Sequence, residues 1–238
     1  MDTIIFEISG KFAHFRRFYT NSSSLTYGAP TRTNVVGLVA AILGYDRDEY
    51  YENFSRDKFK VAIEKINKTR RLTQTMNYLK VLSPKHFYNP QDHTQIPLEI
   101  LTSNKEVKYK IYVSHINTKI MDHLELRLSK NQPAYPIYLG IAPFLAKITY
   151  IKRMNLKGYT CSDYLEVKSL INRNYIEDIK IEESDKYVLV KEKMPVEFLK
   201  NRIPKKAEYF IYDENCQSIR IKTNQLVFND NTNNIIFI

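Results

Sequence analysis

The apolar run from Val35 to Leu43, entered through Pro30-Thr31 and closed by Gly44, constrains the fold more than any other feature of the chain. Proline and hydroxyl residues suit a helix entrance, and glycine suits the position after its last turn. The run therefore predicts a helix buried on most sides, which needs sheets or helices around it. It falls well short of the ~20 apolar residues of a membrane span. Upstream, Ile4, Ile5, Phe6 and Ile8 end at Ser9-Gly10, the pattern of a mostly buried strand stopped by a turn.

Downstream, Tyr50, Tyr51 and Phe54 line one side of Asp46 to Phe54, which predicts a short second helix. Phe59, Val61 and Ile63 then alternate as a strand. Ile96 to Leu101 and the alternating Val107, Tyr109, Ile111 and Val113 read as a hairpin joined at Thr102-Ser103-Asn104. Ile116, Ile120, Leu124 and Leu128 recur at helical spacing behind Asn117-Thr118, and Phe144 to Met154 returns to strand. Strand, helix, strand, strand, helix, strand is the order of an α+β, ferredoxin-like (RRM-like) fold. This body is placed at residues 1–156.

From Lys157 the pattern changes to short β-like runs, Val188–Val190, Tyr209–Tyr212, Ile219–Lys222, Leu226–Phe228 and Ile235–Ile238. Residues 157–238 are expected to form a β-rich C-terminal subdomain, punctuated by Pro195 and Pro204, with a turn at Asp230-Asn231-Thr232-Asn233.

The chain carries 36 Lys and Arg against 26 Asp and Glu, a net charge of +10. That balance favours a polyanionic partner. An AT-rich coding bias would also give abundant Lys, Ile, Asn and Tyr with 6 Gly and no Trp. Cys161 and Cys216 are too far apart for a CxxC site and too few for a disulfide framework. They read as small buried hydrophobes in a reducing interior. With no basic leader before the first strand, a soluble cytoplasmic protein is expected.

No P-loop, GxGxxG, GxSxG or HExxH occurs, and His14, His86, His93, His115 and His123 show no ligand spacing with the cysteines. No metal, cofactor or catalytic set is expected. Glu177-Asp178 and Glu182-Glu183 sit in charge-mixed stretches that read as solvated faces.

Basic residues interleaved with aromatic ones stand out instead. In Lys11-Phe12-Ala13-His14-Phe15-Arg16-Arg17-Phe18-Tyr19, Lys11, His14, Arg16 and Arg17 offer groups to phosphates and the rings offer faces to bases. Equally, one helical turn would bury Phe12, Phe15 and Phe18. Ser24, Tyr27 and Arg32 cluster at the entrance of the apolar helix, where free N–H groups attract phosphate; an ordinary helix cap is the competing reading. Arg70, Arg71, Gln74, Asn77 and Lys80 combine phosphate and base-edge chemistry, or form an exposed strand.

These residues carry a family resemblance. Ser24-Leu25-Thr26-Tyr27-Gly28-Ala29-Pro30-Thr31, followed by the helix with Gly37 and Gly44, resembles the N-terminal signature of the Cas five family of type I CRISPR complexes, most like the type I-B branch. Arg71 to Lys80, Thr94 to Glu99, and Tyr138-Leu139-Gly140 leading into Phe144-Leu145-Ala146 are similar to later landmarks, in order.

The resemblance implies a subunit of an interference (Cascade) complex that holds the 5′ handle of the CRISPR guide RNA and caps the backbone filament. It implies a hairpin thumb at about residues 71–101, its tip near Lys85-His86-Phe87-Tyr88-Asn89-Pro90. Phe87 or Tyr88 would wedge against a flipped base, or meet a neighbouring subunit. Implied partners are the repeated backbone subunit, a large subunit that reads the motif beside the target, and, through the complex, the target DNA.

One branch of the family cleaves precursor RNA without metal, using a tyrosine, a lysine and a histidine. Here the tyrosine position falls near Leu43, which transfers no proton. Tyr45 lies past Gly44, and Lys85-His86 lies on the thumb. The expectation is an RNA-binding subunit that does not cut; the alternative is a metal-independent endoribonuclease.

Overall fold

The computed structural model describes every residue except Leu82, Pro90, Gln91, Glu183, Ser184, Asp185, Lys200 and Asn201. Pro90 of the expected thumb tip and Glu183 of the carboxylate pair lie outside the described residues.

The first strand, β1 (Asp2–Ala13), runs past the Ser9-Gly10 signal. The chain turns at His14 into a two-residue ladder of β2 (Phe15–Arg16) with β3 (Thr26–Tyr27), then enters α1 (Arg32–Leu43). Thr31 caps α1: its hydroxyl accepts from the Asn34 N–H while the Asn34 side chain accepts from the Thr31 N–H. Gly44, at φ +86°, closes the helix in the left-handed region.

β4 (Phe59–Lys65), β5 (Arg70–Leu79), the single turn α2 (Lys85–Tyr88), β6 (His93–His115), α3 (Thr118–Ser129) and β7 (Lys147–Asn155) follow. Asn117 caps α3, accepting from the Lys119 N–H. The sheet runs β4-β6-β1-β7, every neighbour antiparallel. Ile4, Phe6 and Ile8 pair with Val113, Ile111 and Tyr109, and these side chains meet α1 and α3 in the main core. Burying each such side chain contributes roughly 1.5–3 kcal/mol.

Two sequence expectations fail here. Asp46 to Phe54 forms turns, because Asp48 sits at φ +68°, a left-handed residue that interrupts any helix. Its carboxylate accepts from Tyr51 while Phe54 packs edge-on against Phe59. Thr102-Ser103-Asn104 makes no hairpin turn: β6 is one strand that changes partners, pairing with β5 at its start and with β1 and β4 further on. The turn-forming residues fall in an irregularity, where Val107 to Thr102 on β6 spans only Gly10 to Phe12 on β1. The β5–β6 ribbon spans the residues expected to form the thumb, its ladder running from Arg70↔Thr102 to Leu79↔His93, with α2 at its end.

The chain after β7 passes through β8 (Gly158–Tyr159), β9 (Leu165–Val167), β10 (Ile171–Asn172), a 3-10 turn at Arg173–Tyr175, and β11 (Asp178–Ile179). The long hairpin of β12 (Leu189–Phe198) and β13 (Pro204–Asp213) comes next, then β14 (Ile219–Lys222), β15 (Val227–Asn229) and β16 (Asn234–Ile235). Pro195 lies inside β12, beside a register shift, and Pro204 opens β13, so both prolines sit where a ladder tolerates them.

These strands cover both faces of the main sheet. Met194, Val196, Phe210 and Tyr212 join the core on the helix side. Phe228 and Ile235 seal Ile5, Ala62 and Tyr112 on the other. The Tyr112 hydroxyl donates within reach of both Glu64 and Asp230, and Asp230 caps the predicted 230–233 turn by accepting from the Thr232 and Asn233 N–H groups.

Candidate nucleic-acid interface

An RRM stacks bases on the open face of its sheet. Here that route is shut over Ile5, Ala62 and Tyr112, all buried under C-terminal strands. Cations and exposed rings gather at the root of the thumb instead. A cleft of about 520 Å³ is lined by Arg17, Phe18, Tyr19, Arg71, Lys191, Lys193 and Tyr209, with Glu192 at its base.

Three parts of the chain build it. β2 and the loop after it bring Arg17, Phe18 and Tyr19; the first residues of β5 bring Arg71; the β12–β13 hairpin brings the rest. In β12 the two-residue period turns Lys191 and Lys193 outward and Glu192 inward. Lys193 pairs across the ladder with Tyr209, and the Lys191 and Lys193 ammonium groups stand 4.7 and 5.9 Å from its ring centre. Phe18 and Tyr19 meet edge to face, both exposed.

Glu192 organises the cleft. Its carboxylate accepts from Arg17 Nη2 at 2.6 Å, from the Tyr212 hydroxyl at 2.8 Å and from the Gly28 N–H at 3.1 Å, with Arg71 Nη2 at 3.5 Å. Burial pulls the Arg17 pKa down, but the Glu192 carboxylate overrides it and the net direction is up. The carboxylate thus fixes the orientation of Arg17, whose Nε also donates to the Thr26 carbonyl at 3.1 Å, and draws Arg71 to the same point.

Several expected contact residues are engaged inside the protein. His14 is buried: its Nδ1 donates to the Glu99 carbonyl at 2.7 Å, so Nε2 accepts from the Ser24 hydroxyl at 3.0 Å. Burial lowers its pKa. Ser24 is the other half of that contact and bridges to Leu98 at the thumb root. Tyr27 is buried and donates to the Lys193 carbonyl.

Arg32 lies in the core. Its guanidinium donates to the Val196, Phe54 and Phe59 carbonyls, and burial pulls its pKa down to about 10. At the entrance of α1, Thr31 is thus occupied as the cap and the Arg32 guanidinium is turned into the core. No helical turn forms at Phe12 to Phe18 either: Phe15 is buried, Phe12 packs on Phe144 and Phe18 is exposed.

The thumb residues stay outside. β5 is exposed throughout, and its alternation puts Arg70 and Gln74 on one face, with Leu72, Met76 and Tyr78, and Arg71 and Asn77 on the other. Lys80 follows the last pair, its N–H bonded to the Asp92 carbonyl. Lys85, His86, Phe87 and Tyr88 form α2 at the tip, with Phe87 75% and Tyr88 91% exposed. Arg16 is exposed near Arg17, whereas Lys11 lines a different depression. Lys191, Lys193 and Tyr209 carried no sequence signal beyond the Lys-Glu-Lys alternation, because only the hairpin register sets Tyr209 beside the lysines.

Among the described residues, no group of three or more His, Cys, Asp or Glu side chains is placed to hold a metal ion, and no helix is long and apolar enough to cross a membrane.

The structure is similar to a CRISPR protein from Archaeoglobus fulgidus, at 10% identity and a TM-score of 0.54 over 99% of this chain and 98% of that one. It is also similar to a chain of the type III-B Cmr-beta complex bound to cognate target RNA and AMPPnP, at 10% identity and a TM-score of 0.54 over 91% and 86%. No curated protein matches the sequence. The model of the family described as CRISPR-associated protein (Cas_Cas5) matches residues 3–206, and the chain belongs to that family.

Proposed function

We propose that this protein is an RNA-holding subunit of a type I CRISPR interference complex, of the type I-B kind, that grips the 5′ handle of the guide RNA and does not cut it. The observation that carries this reading is the thumb-root cleft, where Arg17, Arg71, Lys191 and Lys193 surround the exposed ring of Tyr209. Cations that track a backbone beside rings that stack bases are the chemistry of single-strand binding. The thumb continues from the same cleft and ends in two exposed rings, a shape suited to bending a strand. The repeated backbone subunit, the large subunit that reads the target-adjacent motif and the target DNA are its proposed partners.

The sheet order β4-β6-β1-β7 with α1 and α3 on one face supports the ferredoxin-like reading of the body. The structural neighbour in a Cmr complex bound to target RNA supports an effector-complex setting. Leu43, near which the resemblance puts the tyrosine of the cleaving branch, is a buried aliphatic side chain, and Tyr45 packs edge-on against Phe54. Lys85 and His86 sit at the thumb tip.

Binding of labelled repeat RNA by the purified protein tests the reading. Lys191→Ala with Lys193→Ala and Tyr209→Ala is expected to weaken affinity at least about tenfold, since one stacked base alone contributes about 1–3 kcal/mol. Unchanged affinity overturns the cleft. Incubating the wild type with the same RNA in EDTA is expected to leave it intact; a discrete product overturns the non-cutting part.

A further inference from the structure

Away from the thumb-root cleft, three lysines from three strands converge. Lys11 of β1, Lys105 of β6 and Lys147 of β7 line a depression of about 470 Å³ with Ser9, Gly10, Glu106, Leu145 and Ala146. All three are exposed, and among the described residues none has a carboxylate within ion-pair distance. Among the described residues, Glu106 is the one acid lining the depression, and it also lies 4.0 Å from Lys108 Nζ, whose nearer partner is Glu7 at 2.8 Å.

The irregularity in the β1–β6 ladder produces this convergence. Between Gly10↔Val107 and Phe12↔Thr102, β6 carries extra residues, Lys105 among them, opposite Lys11. Bulges re-aim side chains and recur at functional positions. Lys147 completes the group because it pairs with Ser9 on the far side of β1.

No aromatic ring lines the depression. Phe12 and Phe144 pack on one another, and Lys11 lies over the Phe12 ring at 5.5 Å. The patch therefore lacks the stacking surfaces of a single-strand site, which the thumb-root cleft has. It supplies only point charges, a chemistry that contacts phosphates without reading bases. A duplex presents phosphates at the highest density, about one per 1.7 Å of axis.

We infer that Lys11, Lys105 and Lys147 form a second nucleic-acid contact, which holds the phosphate backbone of a duplex independently of sequence and separately from the RNA cleft. The inference stands on the lysine cluster alone and does not require the handle-binding reading.

Binding of the full-length protein to a short random-sequence DNA duplex and to a single-stranded oligouridine, each titrated across salt, tests it. Lys11→Gln, Lys105→Gln and Lys147→Gln together are expected to weaken duplex affinity at least about tenfold. They should flatten the log–log salt slope by up to about 2.7, at roughly 0.9 per neutralised phosphate. Oligouridine affinity should stay within about twofold. The control is Lys119→Gln, Lys130→Gln and Lys222→Gln, which removes the same charge from exposed positions elsewhere.

An equal duplex loss in the control reduces the effect to net charge and overturns the inference. So does an equal loss of oligouridine binding, which would make the patch part of the single-strand path, and so does an unchanged duplex affinity. Tyr209→Ala separates the two sites: it should weaken oligouridine and spare the duplex, and loss of both overturns the separation. Should the triple variant melt early, Lys147→Gln alone is expected to weaken duplex binding about threefold with the wild-type melting profile.

Discussion

Arg17 Nη2 donates to Glu192 Oε1 at 2.6 Å, joining residues 175 positions apart in the chain and fixing the loop after β2 to the C-terminal hairpin. The same buried carboxylate also takes the Tyr212 hydroxyl and the Gly28 N–H. It acts as the keystone between the N-terminal body, the thumb root and the C-terminal strands. Removing it leaves two arginines without their anion.

Glu192→Ala is expected to cost at least about 2 kcal/mol, because hydrogen bonds to a charged acceptor are worth about 1.5–3 kcal/mol and the Tyr212 hydroxyl and Gly28 N–H are buried donors left without it. For a chain of this length that lowers the melting midpoint by roughly 4–8 °C. Affinity for single-stranded RNA should fall as well, because Arg17 and Arg71 lose their orientation. A melting curve with unchanged midpoint and unchanged RNA binding contradicts the keystone role.

Arg32 separates structure from recognition. Its guanidinium ties α1 to the Val196, Phe54 and Phe59 carbonyls. Arg32→Ala should destabilise by about 3–5 kcal/mol, since buried carbonyls are orphaned and the apolar stem leaves a void. Folded Arg32→Ala protein, selected at low temperature, should bind RNA as the wild type does. Lost affinity with an unchanged melting point would restore Arg32 to the interface.

Gly140 sits at φ +96°, and a Cβ there would lie 1.8 Å from the His14 carbonyl oxygen. No small shift relieves a backbone collision of that size. Gly140→Ala is expected to lower soluble yield and the melting midpoint sharply, more than Gly37→Ala, whose nearest neighbour is the Tyr50 hydroxyl at 3.3 Å. Thermal denaturation of the two variants side by side checks the ranking.

His14 gives the thumb root a pH dependence. Burial depresses its pKa below 6.5, so the folded state holds the neutral ring and the unfolded state takes up the proton more readily. The stabilisation is present above about pH 6.5 and declines as pH falls through the folded-state value. Protection factors at Ser24 and Glu99, whose backbone groups bond across this contact, taken relative to the intrinsic exchange rate at each pH, should fall on acidification below pH 6.5 in the wild type and lose that dependence in His14→Gln. Equal pH profiles would remove His14 from the switch.

At the tip, Phe87→Ala with Tyr88→Ala should leave the melting curve in place, because neither ring is buried in the protein. RNA affinity should drop by about tenfold if one base stacks there. No change in affinity would assign the tip to a protein neighbour.

Local chemistry alone settled much of this molecule. Pro30-Thr31 and Gly44 are cap signals that act within one turn, so α1 was readable to its ends, and the period-two and helical patterns placed β1, β4, α3 and β7. Short-range signals misled where distant contacts decided the backbone. Thr102-Ser103-Asn104 has turn residues, yet pairing with β1 and β5 holds it in one strand, and Asp48 at positive φ breaks a run with helical spacing.

The interface divides in the same way. Arg17, Arg71 and the thumb tip were visible as basic and aromatic residues, but exposure is a property of the fold, and His14, Ser24, Tyr27 and Arg32 turned inward to satisfy buried carbonyls and hydroxyls. Lys191, Lys193 and Tyr209 became a site only through the β12–β13 register. Sequence by itself determined which residues had the chemistry to hold a polyanion. Tertiary structure decided which of them face solvent together, because long-range strand pairing and burial act over separations that no local pattern records.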